Sequence, residues 1–583
     1  MLKKIISYSL TNKLIVFVSV FTLIGFGIYS LLNIPIGAVP DITNNQVQVI
    51  TTSRDLPTEE VERFLTYPVE LEMANLPGVQ EIRSVSKFGL SVVTIVFDDN
   101  MGTYLPRQMI AEKLSVLKDE IPEGFGTPFM GPISTGLGEI YQYILDVKPG
   151  YEDRYTVTDL RTIQDWIVKR QLSGIPGIVE VNTWGGYLKT FEVAVNPSLL
   201  NAMEISLEEV YSSIYDNNSV AGGGYIEKNS EAFFIRGDGL LKDKADLENV
   251  LVTHKGNTPV LLKDIATIQL GHATRFGAIT GNGEGEKVLG QVMMLKGANS
   301  KEVIDNVIDR VEEIQSSLPE GVFINPFLER SELIGRTTFT IAENLILGFL
   351  IVFFVVMFLL GNLRSGLVVA SVIPLSLLFA LSMMYLFGVD ANLMSLGAID
   401  FGIIIDGAVI IIEYLAYSIT KNQLRLKDLQ GEDRQKALDK TVLEGVNKMM
   451  HSAVFGQIII IIVFIPILVL SGVEGKMFKP MALTFIFALI GTMLLCFTYV
   501  PVMAALFLKP QANKSTVSSR FIEKIKSWYT PLLSKGLDNK VAILSLSGLL
   551  LIITGFLFTR MGGEFVPTLD EGDFVVQPVL KTG

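Results

Sequence analysis

Seven stretches of this 583-residue chain are apolar for as long as a lipid bilayer is thick, and that limits the fold more than any other feature. A helix crosses the hydrocarbon core in about 20 residues. Residues 14–32 meet that length, as do stretches near 341–360, 366–387, 393–417, 452–471, 480–508 and 541–559. Helices are expected at each, because in lipid every backbone polar group must be satisfied within its own segment. Lys3, Lys4 and Lys13 precede the first stretch. A cleavable leader would carry a shorter apolar core followed by a small-residue site, and Asn33-Ile34-Pro35-Ile36-Gly37-Ala38 is a poor one. The first stretch therefore reads as a retained membrane helix.

Basic residues orient the spans. The loop 418–448 carries Lys421, Arg425, Lys427, Arg434, Lys436, Lys440 and Lys448, and 509–540 is comparably basic. Both belong on the cytoplasmic side. Counting back puts the N-terminus in the cytoplasm, and residues 33–335 and those after about 560 outside it. A net charge of −12 argues against a nucleic-acid partner, which would call for a basic stripe. The single cysteine, Cys496, rules out a disulfide framework or a cysteine zinc site. Gly222-Gly223-Gly224 lacks the Lys-Ser/Thr of a phosphate-binding loop, and no hydrolase motif is present.

The long loop 33–335 carries strand and helix signals of its own. Gln46–Thr52 reads as a strand, Pro57–Asn75 as a helix, and Glu81–Ser86 with Ser91–Phe97 as a hairpin about Phe88-Gly89. Leu76-Pro77-Gly78-Val79-Gln80-Glu81-Ile82 recurs as Ile175-Pro176-Gly177-Ile178-Val179-Glu180-Val181. Two α+β subdomains of split-βαβ (ferredoxin-like) kind are expected, at 33–135 and at 136–189 with 272–335. A mixed insertion fills 190–271, with a protruding turn at Ala221-Gly222-Gly223-Gly224-Tyr225. The membrane part divides into a first helix within 1–32, helices two to six within 336–508, an amphipathic cytoplasmic linker at 509–540 and a seventh helix at 541–560.

A longer repeat overlies this plan. Leu10-Thr11-Asn12-Lys13, a span and Val39-Pro40 recur at an offset of 527 residues as Leu537-Asp538-Asn539-Lys540, a span and Val566-Pro567. Strands are expected after each copy, at Gln46–Val49 and Asp573–Val576. Parallel repeats of this sort build many transporters. The intact protein is then expected to be about twice the offset in length, with 561–583 opening a second extramembrane domain.

The segment Ala391–Ile419 reads ANLMSLGAIDFGIIIDGAVIIIEYLAYSI and sets Asp400, Asp406 and Glu413 in an otherwise apolar helix. At about 100° per residue, Asp406 and Glu413 fall within about 20° of each other, and Asp400 about 120° from Asp406. A carboxylate at bilayer depth costs several kcal/mol unless paired or protonated, so it marks a functional site by default. Such a group can take up and release a proton as its surroundings dry and rehydrate. The competing reading, acids paired with a base only to fix packing, needs a Lys or Arg deep in a span, and these seven hold none. Gly397, Ala398, Gly402, Gly407 and Ala408 read as close-packing positions.

With these residues in view, the chain resembles a resistance–nodulation–division (RND) transporter of the heavy-metal efflux branch, typified by the cobalt–zinc–cadmium exporters. The resemblance runs over the whole chain. It rests on DFGIIIDGAVIIIE at 400–413, Gly563-Glu564-Phe565-Val566-Pro567 with Asp570-Glu571-Gly572-Asp573, the Gly222–Ile226 segment, and Pro132–Tyr141. It implies a proton-driven cation antiporter rather than an enzyme, without a resident cofactor, in the inner membrane with a large periplasmic porter domain. It further implies a homotrimer with a periplasmic adaptor and an outer-membrane channel as partners, in contact with membrane lipid. Asp400, Asp406 and Glu413 match the family's proton-relay acids, opposite a lysine of the second half. The 190–271 insertion matches its docking region, whose Gly222–Tyr225 tip would reach a neighbouring subunit.

Glu139 falls where exporters of divalent cations carry an acidic metal ligand. A carboxylate suits a divalent ion, whereas Cu(I) or Ag(I) prefers sulfur. Gln577 stands where the copper–silver branch has a ligand methionine, and Asp400 also fits the divalent pattern. The bland reading of Glu139 is a solvated edge residue. The methionines of the spans, such as Met383 and Met394, suit helix packing better than metal binding. Two other functions stay open: a drug or amphiphile exporter of the same superfamily, and a non-transporting membrane assembly protein.

Overall fold

In this computed structural model, residues 2–583 are described apart from 38–39, 54–55, 118–119, 276, 398, 400, 424–428, 511–516, 563–575 and 577–583. The chain forms two compact units: Met1–Leu137 with Gly297–Lys301 and Arg330–Gly583, and Gly138–Lys296 with Glu302–Glu329.

Among the described residues, the first unit holds seven helices long and apolar enough to cross a membrane. In order these spans are Lys13–Asn33, Arg330–Leu360, Leu363–Phe387, a fourth whose main helix is Phe401–Lys421, Gly431–Leu468, Gly472–Phe497 and Lys540–Phe558. The third, fourth and sixth form the centre, burying Val369, Ile373, Ile404, Ile411, Ala488 and Leu489. Glycines let backbones close up there: a Cβ on Gly27 would fall 2.7 Å from Leu378 Cβ. The seventh span buries none of its residues. That much exposed apolar helix would be unstable in water and suits lipid.

The fifth and sixth helices depart from the sequence reading. The fifth begins at Gly431, not near 452, so most of the basic loop 418–448 is its helical extension. Its charged outer face masks the apolar run, while Leu438, Val442 and Val446 stay buried. The sixth stops at Phe497 and resumes over Tyr499–Phe507. Pro501 has no N–H for the carbonyl of Phe497, four residues back, and its ring crowds that carbonyl.

The first unit also carries a four-stranded sheet, in the order Val79–Lys87, Leu90–Phe97, Gln46–Thr52 and Phe129–Met130. Residues 58–74 and 104–117 supply its helices, and Val49, Leu65, Val93, Ile95 and Ile110 its core. The second unit repeats the scheme, its sheet running Val322–Glu329, Glu139–Val147, Val288–Met294 and Ile178–Trp184. The repeat extends to irregularities. A π turn interrupts each first helix, at Glu62–Thr66 and at Gln164–Val168. Gly78 and Gly177 then take φ of 79° and 87°, conformations a Cβ would strain.

Within 190–271, Lys189–Val195 pairs with Ala266–His272 over a small core of Leu200, Val210, Leu247, Leu262 and Ile265. Ser206 and Glu209 cap Leu207–Asp216 reciprocally. A long ribbon, Ser219–Lys228 paired with Glu231–Gly239, is exposed along its whole length. The glycine triplet is not its tip, contrary to the sequence reading. Asn229 and Ser230, with φ of 55° and 63°, form the two-residue turn instead. The glycines sit in the strand at a register shift opposite Ile235, with Gly224 at φ 78°.

Candidate functional site

Two places carry residues singled out in the sequence, one in each unit. In the first unit, the fourth-span helix Phe401–Lys421 buries Ile404, Ile405, Ala408, Ile411, Ile412 and Leu415 against the third, fifth and sixth helices. Gly407 lets the fifth helix approach, since a Cβ there would meet the amide nitrogen of Gln457 at 2.7 Å. Gly445 reciprocates beneath Leu415, where a Cβ would meet Leu415 Cδ2 at 2.6 Å. With that face committed to packing, Asp406 and Glu413 fall on the other. Both are exposed, in one stripe with Gly402 and Tyr417. The seven-residue spacing brings the two acids onto one line, as helical geometry requires. At the lower end, Lys448 Nζ lies 5.4 Å from the ring centroid of Tyr414, next in sequence to Glu413. Asp400 and Ala398 lie outside the described residues.

Sequence reasoning missed Gln457. It is 3% exposed in the middle of an apolar helix, and its Nε2 has no hydrogen-bond partner. An unsatisfied buried amide costs about 1–3 kcal/mol, so natural cores seldom keep one without a use. The signal available was a lone amide inside Gly456–Leu468.

In the second unit, Glu139 opens the strand Glu139–Val147 and is exposed. It accepts a hydrogen bond from Gln142 Nε2 at 3.2 Å, which puts both side chains on the outer face of the sheet. Its cross-strand partner is Met293, and Met293 is opposed on its other side by Glu180. The row therefore reads Glu139, Met293, Glu180: two carboxylates flanking a thioether. Register shifts at Met293 on one side and between Met293 and Met294 on the other bend the sheet here. Strands about 4.8 Å apart put the two acid-bearing backbones about 10 Å from each other. Long side chains can converge from that separation on a common ion. Among the described residues no cluster of three or more His, Cys, Asp or Glu is assembled to hold a metal. Glu139 and Glu180 are the two carboxylates of this row.

The inner face of the same sheet is buried and hydrogen-bonded. Tyr143 is fully buried and exchanges hydrogen bonds with Gln164 at 2.9–3.1 Å. Burial pushes its phenol up from the ordinary range, the Gln164 bond opposing this. Tyr141 beside it is pushed up to about 12 by burial, with the carboxylate of Glu329 adding to it. The expected copper-branch position Gln577 and the strand Asp573–Val576 fall, but for Val576, outside the described residues.

Comparison with known proteins is consistent across sequence and structure. Residues 5–583 match the AcrB/AcrD/AcrF family. The chain is 39% identical over its full length to the cation efflux system protein CzcA of Alcaligenes sp. (strain CT14), covering 55% of that protein. Protein HelA of Legionella pneumophila is 41% identical, again over all of this chain and 55% of its own length. A crystal structure of a heavy metal efflux pump superposes with a TM-score of 0.82 at 30% identity, over 97% of this chain and 53% of that one. The chain spans about half the length of the curated relatives it matches.

Proposed function

The chain belongs to the AcrB/AcrD/AcrF family, among the heavy-metal efflux pumps of the RND superfamily, and from that premise we propose that it is the N-terminal half of a proton-driven exporter of divalent metal cations. The observation that carries this reading is the stripe on the fourth span: Asp406 and Glu413 aligned on the unpacked face of a helix of membrane-crossing length. In lipid those carboxylates call for protons or a cationic partner. A second half that covers the stripe and brings a lysine to it completes a relay. Asp400, from its place in DFGIIIDG, is proposed as a third member. A proton entering down a potential of about 100 mV releases about 2.3 kcal/mol per charge, and several in series can drive one ion outward.

Glu139 is proposed as a ligand of the transported ion, and the Glu139–Met293–Glu180 row supports it, because carboxylate oxygens favour a divalent cation. The remaining donors belong to the other half. The β-α-β-β-α-β order of both sheets supports porter subdomains of split-βαβ type at 33–135 and at 136–189 with 272–335. The 190–271 insertion is read as the docking region. Its exposed ribbon, with the rings of Tyr225 and Phe234 6.2 Å apart and tilted by 56°, suits a groove of a neighbouring subunit in a homotrimer. By the same reading the pump sits in the inner membrane and works with a periplasmic adaptor and an outer-membrane channel. A drug exporter is disfavoured by the carboxylate row, whose oxygens suit a cation better than an apolar substrate.

The test is metal tolerance in cells carrying the complete pump. Asp406→Asn is expected to abolish tolerance at normal expression. Glu139→Gln is expected to weaken it for zinc, cobalt or cadmium while leaving proton coupling intact. Preserved tolerance in Asp406→Asn would overturn the relay.

A further inference from the structure

A cavity at the N-terminal end of the first span takes no part in the relay or the metal row. The chain opens with a helix, Leu2–Thr11, whose Ile6, Ser9 and Leu10 are buried while Lys3, Lys4, Tyr8 and Thr11 face outward. It breaks at Asn12, φ −112° and ψ 60°, and the first span starts at Lys13. Between that elbow and the fifth helix lies an open groove of about 780 Å³. Its polar end is made by Ser7, Thr11, Asn12, Lys13, Lys436 and Lys440, and its apolar side by Leu14, Ile15 and Leu443.

The charges do not cancel. Asp439 is the groove's one acid, and Lys13 holds both of its oxygens at 2.8 and 2.9 Å. Gln435 adds a hydrogen bond to the same carboxylate at 2.9 Å. Among the described residues Lys436 pairs with Glu432 alone, 3.4 Å away, whose side chain is 90% exposed. Lys440 has no ion pair among the described residues. Two lysines one turn apart therefore present net positive charge into a groove walled by hydroxyl and amide groups.

The apolar side gives the occupant its class. Leu14, Val18 and Phe21, at i, i+4 and i+7, form an exposed stripe running from the groove along the first span. A ligand with a phosphate at one end and acyl chains at the other matches both parts. Basic pockets beside spans on the cytoplasmic side commonly hold such head groups. We propose that this groove binds the phosphodiester head group of an anionic phospholipid from the cytoplasmic leaflet, with Lys436 and Lys440 on the phosphate and Thr11 and Asn12 as further polar contacts. The leaflet rests on the orientation read above; the binding chemistry does not.

Native mass spectrometry of the delipidated protein in detergent tests this, with phosphatidylglycerol against phosphatidylcholine of the same chains. The wild type is expected to prefer phosphatidylglycerol by about tenfold or more, and Lys436→Gln/Lys440→Gln to lose that preference. Each single variant should fall between. These lysines are surface groups and the Lys13–Asp439 pair is untouched, so an unchanged thermal melt is the folding control. A double variant that keeps the preference overturns the site, and so does equal binding of the two lipids by the wild type. Displacement of phosphatidylglycerol by millimolar inorganic phosphate would overturn the lipid source in favour of a soluble anion. Because the readout needs no transport, loss of the exporter reading would leave this result standing. Labelling of the 418–448 segment from outside intact cells would overturn the leaflet alone.

Discussion

Gly407 is where a single hydrogen atom decides how closely two spans meet. Alanine there would place a methyl 2.7 Å from the buried Gln457 amide, and the overpacking is expected to cost about 1–3 kcal/mol. Pairing Gly407→Ala with Gln457→Ala should recover most of that loss. The coupling, measured by thermal unfolding in detergent, distinguishes a steric contact from a general weakening. A second residue-scale expectation concerns acid. Arg275, hydrogen-bonded to Glu286, holds that carboxylate below the usual range, and the backbone N–H of Gly186 adds to it. A depressed carboxylate stabilises the fold at pH above its unfolded value, about 4.3, and the contribution is lost as pH falls through the lowered value. The protection factor of the Gly186 amide, taken relative to its intrinsic rate at each pH, should therefore fall in acid in the wild type but not in Glu286→Gln. Some of this scale was legible and some was not. The alignment of Asp406 with Glu413 follows from helical arithmetic alone. The Glu139–Met293–Glu180 row could not be read, because it depends on a register between strands far apart in sequence and on two irregularities within it.

At the scale of elements, one side chain ties the sixth helix to the segments that flank the first sheet. Lys476, in the first turns of Gly472–Phe497, pairs with Asp99 at 2.7 Å and donates to the carbonyl of Thr43 at 2.8 Å. Lys476→Met keeps the stem and removes both contacts. The expected loss is about 1 kcal/mol for a half-exposed pair. It should be seen as faster hydrogen exchange around Thr43 and Asp99, with the seven spans unaffected. The elements most legible in the sequence were those with one clear period. Gln46–Thr52 was legible because Gln46-Val47-Gln48-Val49 alternates and β-branched Ile50, Thr51 and Thr52 continue it. The fifth helix was read short, because its first twenty residues carry charge on three sides and only a narrow buried face. The glycine triplet was misread as a turn, since glycine's freedom serves a strand bulge as well as a tip.

For the whole molecule, the repeat at an offset of 527 residues is visible in the backbone. Asn12 breaks the chain at φ −112° and ψ 60°, and Asn539 does so at −111° and 52°, each between an interfacial helix and a span. Two elbows of the same shape support a protein built twice over. The ribbon 219–239 lends itself to a test at this scale. Replacing it by a short Gly-Ser link leaves the core of Leu200, Val210 and Ile265 intact, so the subdomain should still fold. On the docking role proposed for it, assembly of the complete protein should nonetheless fail, with the intact mass in native spectrometry falling from that of the proposed trimer to that of a monomer. The fourth span also poses a problem of delivery. It has the lowest mean hydropathy of the seven, and each carboxylate near its centre adds about 3 kcal/mol against entry into the bilayer. Left to itself it is the helix most apt to slip back out of the translocon. The packing of Gly407 against the fifth helix and the apolar face against the third and sixth is then also what retains it during synthesis. A variant that loosens those contacts should show up first as a protein with the wrong number of crossings.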